Sequence, residues 1–404
     1  VLAIKSAKQN YSPSTEVLEL LDLFRRMVNR CIVIGLSQNV SSLKSLCLLS
    51  YKELGSYPTP SCYKLCAISR AAGILASRKK SLRRGFVTKS PHAVKPLLIS
   101  CYNFKIQNGH LRIPIGRKRF ETIPLTNHTA SVLSDRTLCV RSFTLTANTL
   151  SLCISKEAVT LECVGTVGVD RNLRNLTCGD EETVVQYDLS KAVEIANTTL
   201  SILSSFKRND HRIGQRLALK YGKRRHNRTV SLLHKTTKSI VERAFEKRKA
   251  IVLENIRGIR RLYRKGNWQG RSFRGRMNSW SFGKAQSQIE YKAAWIGPPV
   301  VRLSRRETFG TSSTCPRCGE RLQSDRNHRR QLWCPKCKVW TDRDVVAVVN
   351  LSRRGRLRFD RSKGEAVEAV KGNPTPTVIP GVDASKPTYL EKVGGTMLSS
   401  TDYH

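Results

Sequence analysis

Four cysteines arranged in two pairs are the most specific chemical pattern in this chain of 404 residues. Each pair reads Cys-Pro-x-Cys, and 15 residues separate Cys318 from Cys334. Thiolates at this spacing are typical of a zinc ribbon. We therefore predict that one structural Zn²⁺ is bound by Cys315, Cys318, Cys334 and Cys337. Because four thiolates complete a tetrahedral site, His328 in the intervening loop is not expected to be a ligand, and the zinc is not expected to take part in chemistry.

Three acidic residues lie at the ends of predicted elements, in a chain with only 30 Asp and Glu residues. Asp170 and Glu254 end apolar segments typical of buried strands, and Asp344 begins an apolar helical segment. Such ends can converge in space, and the repulsion among three carboxylates is usually compensated by divalent cations. Two Mg²⁺ ions bridged by carboxylates can activate a water molecule against a phosphodiester. We therefore predict that these three acids bind two Mg²⁺ ions and are catalytic.

Each of the three acids also has an ordinary structural explanation. Asp170 could pair with one of the arginines that follow it, and the same holds for Glu254. Asp344 competes with Asp342, since either of them could be the residue that caps the helix. The catalytic interpretation depends on the three acids occurring together with the zinc ribbon and the high positive charge.

The net charge of the chain is +42, from 72 Lys and Arg residues against 30 Asp and Glu. A protein with this charge repels itself unless a polyanion neutralises it, which favours nucleic acid as the partner. An anionic membrane surface is the alternative, but no apolar segment approaches the ~20 residues that span a bilayer, and no signal peptide begins the sequence. No GxxxxGK[ST] phosphate-binding loop occurs, so ATP hydrolysis is not indicated.

The other nine cysteines stand in apolar or mixed segments without the spacing of metal ligands. Buried, reduced thiols explain them best, and reduced thiols indicate a reducing compartment. We expect the protein in the cytoplasm, associated with the nucleoid of a prokaryote, or in the nucleus of a eukaryote.

The apolar patterns predict a multidomain α+β fold. An N-terminal strand and several short strands, the last of them AVTLECV at 158–164, predict an antiparallel β-barrel with a helical domain inserted in it. Three strands, a helical crossover and two more strands then predict an RNase H-like α/β domain. The predicted boundaries are 1–12 and 94–162 for the barrel, 13–93 for the helical domain, 163–310 and 341–354 for the RNase H-like domain, 311–340 for the ribbon, and 355–404 for a disordered tail.

The segment 207–276 carries 23 Lys and Arg residues against four acids and interleaves arginines with aromatic residues. A basic helix face can follow a phosphate backbone, and rings among arginines can stack on the bases of an extended strand. A solvated basic helix pair or a nuclear-localisation signal is the alternative. The predicted nucleic-acid contacts are Lys223, Arg224, Arg225, Arg228, Lys235, Arg260, Arg261, Arg264, Trp268, Arg271, Arg274 and Trp280.

Four motifs between about 160 and 353 give the chain a resemblance to the TnpB family of transposon-associated, RNA-guided DNA endonucleases, which are related to type V CRISPR effectors. GVDRNLRNLT at 168–177 and IVLENIRGIR at 251–260 resemble the first and second RuvC motifs of that family. TSSTCPRCG at 311–319 and TDRDVVAVVNL at 341–351 resemble its zinc ribbon and third motif. In that third motif Val346 replaces a customary Asn, and Asp344, rather than Asp342, occupies the position of the metal ligand.

The resemblance implies a RuvC-like nuclease that hydrolyses DNA by a two-metal-ion mechanism. It implies a guide RNA, double-stranded DNA and displaced single-stranded DNA as partners. Two alternatives remain open from the sequence. One is a catalytically weak, RNA-guided DNA-binding regulator, and the other is an RNA-independent RuvC-like resolvase. The sequence leaves open whether the protein is a monomer or a dimer.

Overall fold

The chain folds into two compact units in the computed structural model, Leu2–Glu157 and the chain from Ala158 onward. No helix in the described part of the chain is long and apolar enough to span a bilayer. The structure describes residues 2–206, 211–256, 262–280, 282–325, 327–328, 330–363 and 377–383.

The first unit contains the predicted helices. The apolar residues that repeat along the first helix are buried, among them Leu21, Phe24 and Met27. Ser14 caps that helix, since its hydroxyl accepts a hydrogen bond from the Val17 amide at 3.3 Å, as a helix N-cap does. The helices of this unit are α1 Thr15–Ser37, α2 Leu43–Ser50, α3 Ser61–Arg83 and α4 Asn127–Leu133.

The strands of the first unit form two sheets. They are β1 Leu2–Asn10, β2 Leu98–Ser100, β3 Lys105–Gln107, β4 His110–Gly116, β5 Arg119–Pro124, β6 Cys139–Leu145 and β7 Thr149–Glu157. One sheet has the order β1-β7-β6-β2, so the N-terminal strand joins later strands as predicted, and the other has the order β3-β4-β5. A barrel closed by these strands stays a prediction. The predicted strand at 158–164 is wrong, because this segment makes isolated backbone hydrogen bonds, such as Leu161 to Gly297, rather than a ladder.

The second unit contains a six-stranded sheet and the three-stranded sheet of the ribbon. Its strands are β8 Gly165–Arg171, β9 Asn175–Gly179, β10 Thr183–Asp188, β11 Lys249–Glu254, β12 Val300–Leu303, β13 Gln323–Ser324, β14 Gln331–Cys334, β15 Val339–Asp342 and β16 Thr377–Asp383. The large sheet has the order β12-β11-β8-β9-β10-β16. Strands β8, β9 and β10 are antiparallel, whereas β11 runs parallel to both β8 and β12. All five strands predicted for the RNase H-like domain are confirmed, in the expected order.

In the described residues of this unit, five α-helices accompany the large sheet. They are α5 Ser190–Ser205, α6 His211–Glu246, α7 Arg271–Ser279, α8 Phe282–Ile296 and α9 Arg343–Lys363. The predicted apolar stripe of α6 is buried at Leu233, Ile240 and Val241. The prediction of a disordered tail from 355 is wrong for two segments, because α9 continues to Lys363 and β16 pairs with β10. The rest of the predicted tail lies outside the described residues.

Candidate active site

A glycine lets helix α9 lie directly on strand β8. A Cβ atom added to Gly168 would lie 2.3 Å from the carbonyl oxygen of Val348 and 3.0 Å from the backbone nitrogen of Ser352. Two reciprocal hydrogen bonds join the same elements. The Thr166 hydroxyl donates to the Ser352 carbonyl at 2.8 Å, and the Ser352 hydroxyl donates to the Thr166 carbonyl at 2.8 Å.

This crossing places the start of α9 beside the end of β8. Thr166 contacts Ser352 and Gly168 contacts Val348, so the two elements run in opposite directions. Four strand residues from Thr166 to Asp170 cover about 13 Å. Eight helix residues from Ser352 back to Asp344 cover about 12 Å. The carboxylates of Asp170 and Asp344 are therefore about equally far from the contact between Thr166 and Ser352, on the same side of it.

The three predicted acids line one cavity of about 560 Å³. Strands β8 and β11 are parallel neighbours, and Val169 pairs with Leu253, so Asp170 and Glu254 follow at adjacent strand ends. Asp344 lies in the first turn of α9 and is 8% exposed. The structure thus brings together the three carboxylates that the sequence placed 84 and 90 residues apart.

The environment of Asp170 disfavours its negative charge. The pKa of this carboxyl group is raised to about 6, mainly by burial, next by the nearby charge of Asp344, and less by that of Glu254. Two hydrogen bonds oppose the shift, from the Asn172 side chain at 2.8 Å and from the Arg171 amide at 2.9 Å. A divalent cation would relieve this repulsion, and oxygen ligands of this kind suit Mg²⁺.

The buried side chain of Arg171 joins the ends of the two central strands. Its guanidinium donates to the backbone carbonyl of Glu254 and to Oε1 of Gln286, the latter at 2.8 Å. Its contact with Asp170 is made by the backbone amide. Within the described part of the chain, neither Asp170 nor Glu254 forms an ion pair within 4.0 Å. The pairing of Asp170 with Arg171 or Arg174 therefore has no support in the structure, whereas the arginines that follow Glu254, at 257, 260 and 261, lie outside the described residues.

Asp342 and Asp344 have different roles in the structure. Oδ1 of Asp342 accepts hydrogen bonds from the amides of Asp344, at 2.8 Å, and Val345, at 3.4 Å, so Asp342 caps α9. The Asp344 carboxylate lines the cavity and accepts a hydrogen bond from the Asn175 side chain at 2.8 Å. It also forms an ion pair with Arg330. The geometry agrees with the choice of Asp344 over Asp342.

Sequence reasoning missed Arg330 and Asn175. Arg330 lies in the ribbon loop, and its side chain lines the cavity beside Asp344. Asn175 begins β9, which turns back antiparallel to β8. Asn175 falls within the first RuvC-like motif, which was the available signal, whereas nothing in the linear sequence points to Arg330.

The four predicted zinc ligands converge. Their sulfur atoms all lie within 4.8 Å of one another. Sγ atoms of Cys318 and Cys334 are 3.4 Å apart, and those of Cys315 and Cys337 are 4.0 Å apart. Tetrahedral Zn²⁺ with sulfur at 2.3 Å requires separations of about 3.8 Å, so the cluster fits this ion. His328 lies outside the cluster, where its Nδ1 contacts Asp325 Oδ2 at 2.8 Å.

A side-chain amide and an apolar contact region are among the contacts that fix the ribbon to α9. Asn350 donates to the carbonyl oxygens of Thr311 and Thr314, both at 2.8 Å. Val346 is fully buried and packs in the cluster that contains Cys315 and other ribbon residues. Val346 is not among the residues that line the carboxylate cavity. Val346 therefore contributes to the contact with the ribbon.

The predicted nucleic-acid contacts are placed unequally. The prediction that Trp280 contacts nucleic acid is wrong. Its side chain is 8% exposed and belongs to the core that packs on the large sheet, where it cannot stack on a base. Arg260 and Arg261 lie outside the described residues. Arg225 and Arg274 are half-buried. The exposed members are Lys223, Arg224, Arg228, Lys235, Arg264, Trp268 and Arg271, and their role stays a prediction.

Comparison with known proteins matches the C-terminal half of the chain. Residues 282–351 match the family model "Cas12f1-like, TNB domain". A TnpB-like protein of Methanocaldococcus jannaschii is 36% identical over 137 residues, which are 34% of this chain and 46% of that protein. Over this part of its length the chain is similar to TnpB-like proteins. The resemblance predicted from the motifs is confirmed, and the match spans about half the length of this curated relative.

Two solved structures share the fold of this chain. A Cas12f1–sgRNA–target DNA complex aligns with a TM-score of 0.61 at 14% identity, covering 84% of this chain and 82% of that one. The mini-RNA-guided endonuclease CRISPR-Cas_phi3 aligns with a TM-score of 0.51 at 10% identity, covering 88% of this chain and 92% of that one. The mixed α/β multidomain fold is therefore that of these effectors, with a four-cysteine cluster compatible with a zinc ribbon.

Proposed function

We propose that this TnpB-like protein is an RNA-guided DNA endonuclease that hydrolyses phosphodiester bonds with Asp170, Glu254 and Asp344. The observation that carries the proposal is the convergence of these carboxylates in one cavity of about 560 Å³. The relation to TnpB supports the reaction class, and the RNA-guided effectors with the same fold support the guide. Transposon association belongs to the same proposal.

The donor set of the cavity fits Mg²⁺. Three carboxylates offer hard oxygen ligands, and the raised pKa of Asp170 reflects its burial together with the repulsion from Asp344 and Glu254 that cations would relieve. Two bound Mg²⁺ ions would lower the pKa of the attacking water and stabilise the leaving oxygen. Asn172 and Asn175 orient the carboxylates of Asp170 and Asp344 through hydrogen bonds of 2.8 Å.

The other walls of the cavity suit a nucleic-acid strand. Arg330 carries the positive charge that a phosphate oxygen would bind, and its side chain is 56% exposed. On another wall, Tyr263 and Phe273 form an edge-to-face pair with ring centroids 5.9 Å apart, next to Met277. The two rings and the thioether of Met277 offer an apolar contact for sugars and bases. The cavity thus combines a phosphate contact and an apolar contact with the reacting carboxylates.

The guide RNA and the DNA would bind to basic surfaces outside the cavity. The net charge of +42 matches a long polyanion. Helix α6 exposes Arg224 and Arg228 on the side opposite its buried stripe, and Lys223 beside them is exposed as well. Such a face follows phosphates without reading bases, which leaves sequence reading to the guide.

The experiment that tests this function uses the full chain purified with RNA expressed from its own flanking DNA. Plasmids carrying a target matched to that RNA are incubated with Mg²⁺. We expect cleavage of the matched plasmid, and neither cleavage of a scrambled target nor activity with EDTA. The Asp170→Asn variant should bind the target without cutting it. Cleavage that persists in that variant would refute the catalytic assignment, and cleavage without RNA would favour a resolvase.

A further inference from the structure

Three aromatic rings form a column on the outside of the zinc ribbon. Trp333 on β14 pairs across the sheet with Trp340 on β15, and their ring centroids are 5.3 Å apart. The ring centroid of His328 lies 4.9 Å from that of Trp340, with the two ring planes tilted by 38°. A cross-strand pair of this kind normally stabilises the sheet by packing. Here the column is open to solvent, since Trp340 is 43% exposed and the His328 side chain 53% exposed.

The column lies on the ribbon face that leads to the carboxylate cavity. Side chains two residues apart in a strand share a face, about 7 Å along it. Asp342, which caps α9, therefore follows Trp340 on that face. Arg330 lies two residues after His328 in the chain, and it forms the ion pair with Asp344 inside the cavity.

The charges around the column complement a nucleic-acid backbone. Lys336 and Lys338, in the turn between β14 and β15, are exposed, and so is Arg330. Exposed rings within a basic surface are the combination that binds single strands, because every base has a face that can stack. A duplex does not offer this contact, since its bases already stack on one another.

We propose that His328, Trp340 and Trp333 form a stacking site for a base of the single-stranded DNA that enters the carboxylate cavity. The choice of DNA rests on the proposed function. The stacked base fixes the strand on the ribbon, and Arg330 then meets a phosphate near Asp344.

Binding of a fluorescent oligothymidylate to the full chain, without added Mg²⁺ and at high salt, tests the site. These conditions stop cleavage and weaken the phosphate contacts made elsewhere. We expect Trp340→Ala to bind about tenfold more weakly and Trp340→Phe to bind nearly as well as the wild type. Phe309→Ala is the matched control, because Phe309 is 85% exposed and precedes the ribbon. Equal losses in Trp340→Ala and Phe309→Ala would overturn the proposal.

Photocrosslinking of the wild type tests the stacking site even if the Trp340→Ala variant loses its zinc. An oligothymidylate carrying 5-iododeoxyuridine should attach to the tryptic peptide VWTDR, which contains Trp340. Attachment only to other peptides, or attachment at this peptide by an oligouridylate probe but not by DNA, would overturn the assignment. Neither assay depends on guided cleavage. A wild type that cuts guided targets but fails both assays refutes the stacking site alone, and one that passes both without cutting refutes the proposed function alone.

Discussion

The substitution Gly168→Ala tests how α9 positions its carboxylate. The new Cβ would lie 2.3 Å from the Val348 carbonyl oxygen and 2.9 Å from Leu351 Cβ. Both neighbours belong to α9, and one is backbone, so the helix must move by about 1 Å to restore van der Waals contact. Overpacking of this kind costs about 1–3 kcal/mol of unfolding free energy. A displacement of about 1 Å at the reacting groups can lower the rate about 100-fold.

Gly165→Ala on the same strand is the control for this prediction. A Cβ there would meet its nearest neighbour, a carbon of Lys249, at 3.9 Å, which is ordinary contact. Both variants are compared by urea unfolding and by the initial rate of guided plasmid cleavage. We expect Gly165→Ala to match the wild type in both assays. If Gly168→Ala matched it too, α9 would not position Asp344 through this contact.

Three further predictions concern a carboxylate, the ribbon and two tryptophans. Without metal, Asp170→Asn should raise the unfolding free energy at neutral pH by up to ~3 kcal/mol, because the pKa of Asp170 is raised to about 6. This gain should shrink as the pH falls below 6 in urea titrations, and a gain that does not depend on pH would contradict it. Cys334→Ser should remove one Zn²⁺ per chain in elemental analysis and abolish cleavage, whereas Cys101→Ser, at an exposed thiol outside the cluster, should change neither. Trp280→Ala should cost about 3–5 kcal/mol of stability, since this ring is buried, whereas Trp268→Ala, at a fully exposed ring, should change stability by less than about 0.5 kcal/mol and weaken oligonucleotide binding. The reverse order of stabilities would refute the correction of Trp280.

The parts of the site that follow from local patterns were predictable from the sequence. Asp170 and Glu254 end apolar segments long enough to be buried strands, and parallel neighbours bring such ends together. The cysteine spacing predicted the ribbon for a similar reason, since the ligands are close in sequence. In both cases the positions of the site residues are restricted mainly by residues close to them in the chain.

The parts that depend on tertiary packing were missed or wrong. Trp280 stands among arginines, so composition suggested an exposed ring, but Ala285 and Ile289 continue an apolar stripe that the core buries. The predicted disordered tail began at Gly355. The lack of a side chain at Gly355 instead lets α9 approach β11, because a Cβ there would lie 2.1 Å from Val252. A glycine at a close contact and a glycine that ends a helix look the same in a single sequence.

The position of Arg330 shows why the ribbon is needed at a site where its zinc does no chemistry. Gln331 pairs with Asp342 in the last rung of the ribbon sheet, and the Arg343 amide donates to the Arg330 carbonyl at 2.8 Å beyond it. Arg330 lies just before β14 and Asp344 just after β15, so the two residues lie side by side at this end of the ribbon sheet. The four thiolates hold these two strands together at Cys334 and Cys337, at the opposite end of the same pair. Loss of the metal would separate the strands that carry the arginine and the carboxylate, and the charge pair at the cavity would be lost even though Asp170 and Glu254 stay on their own sheet.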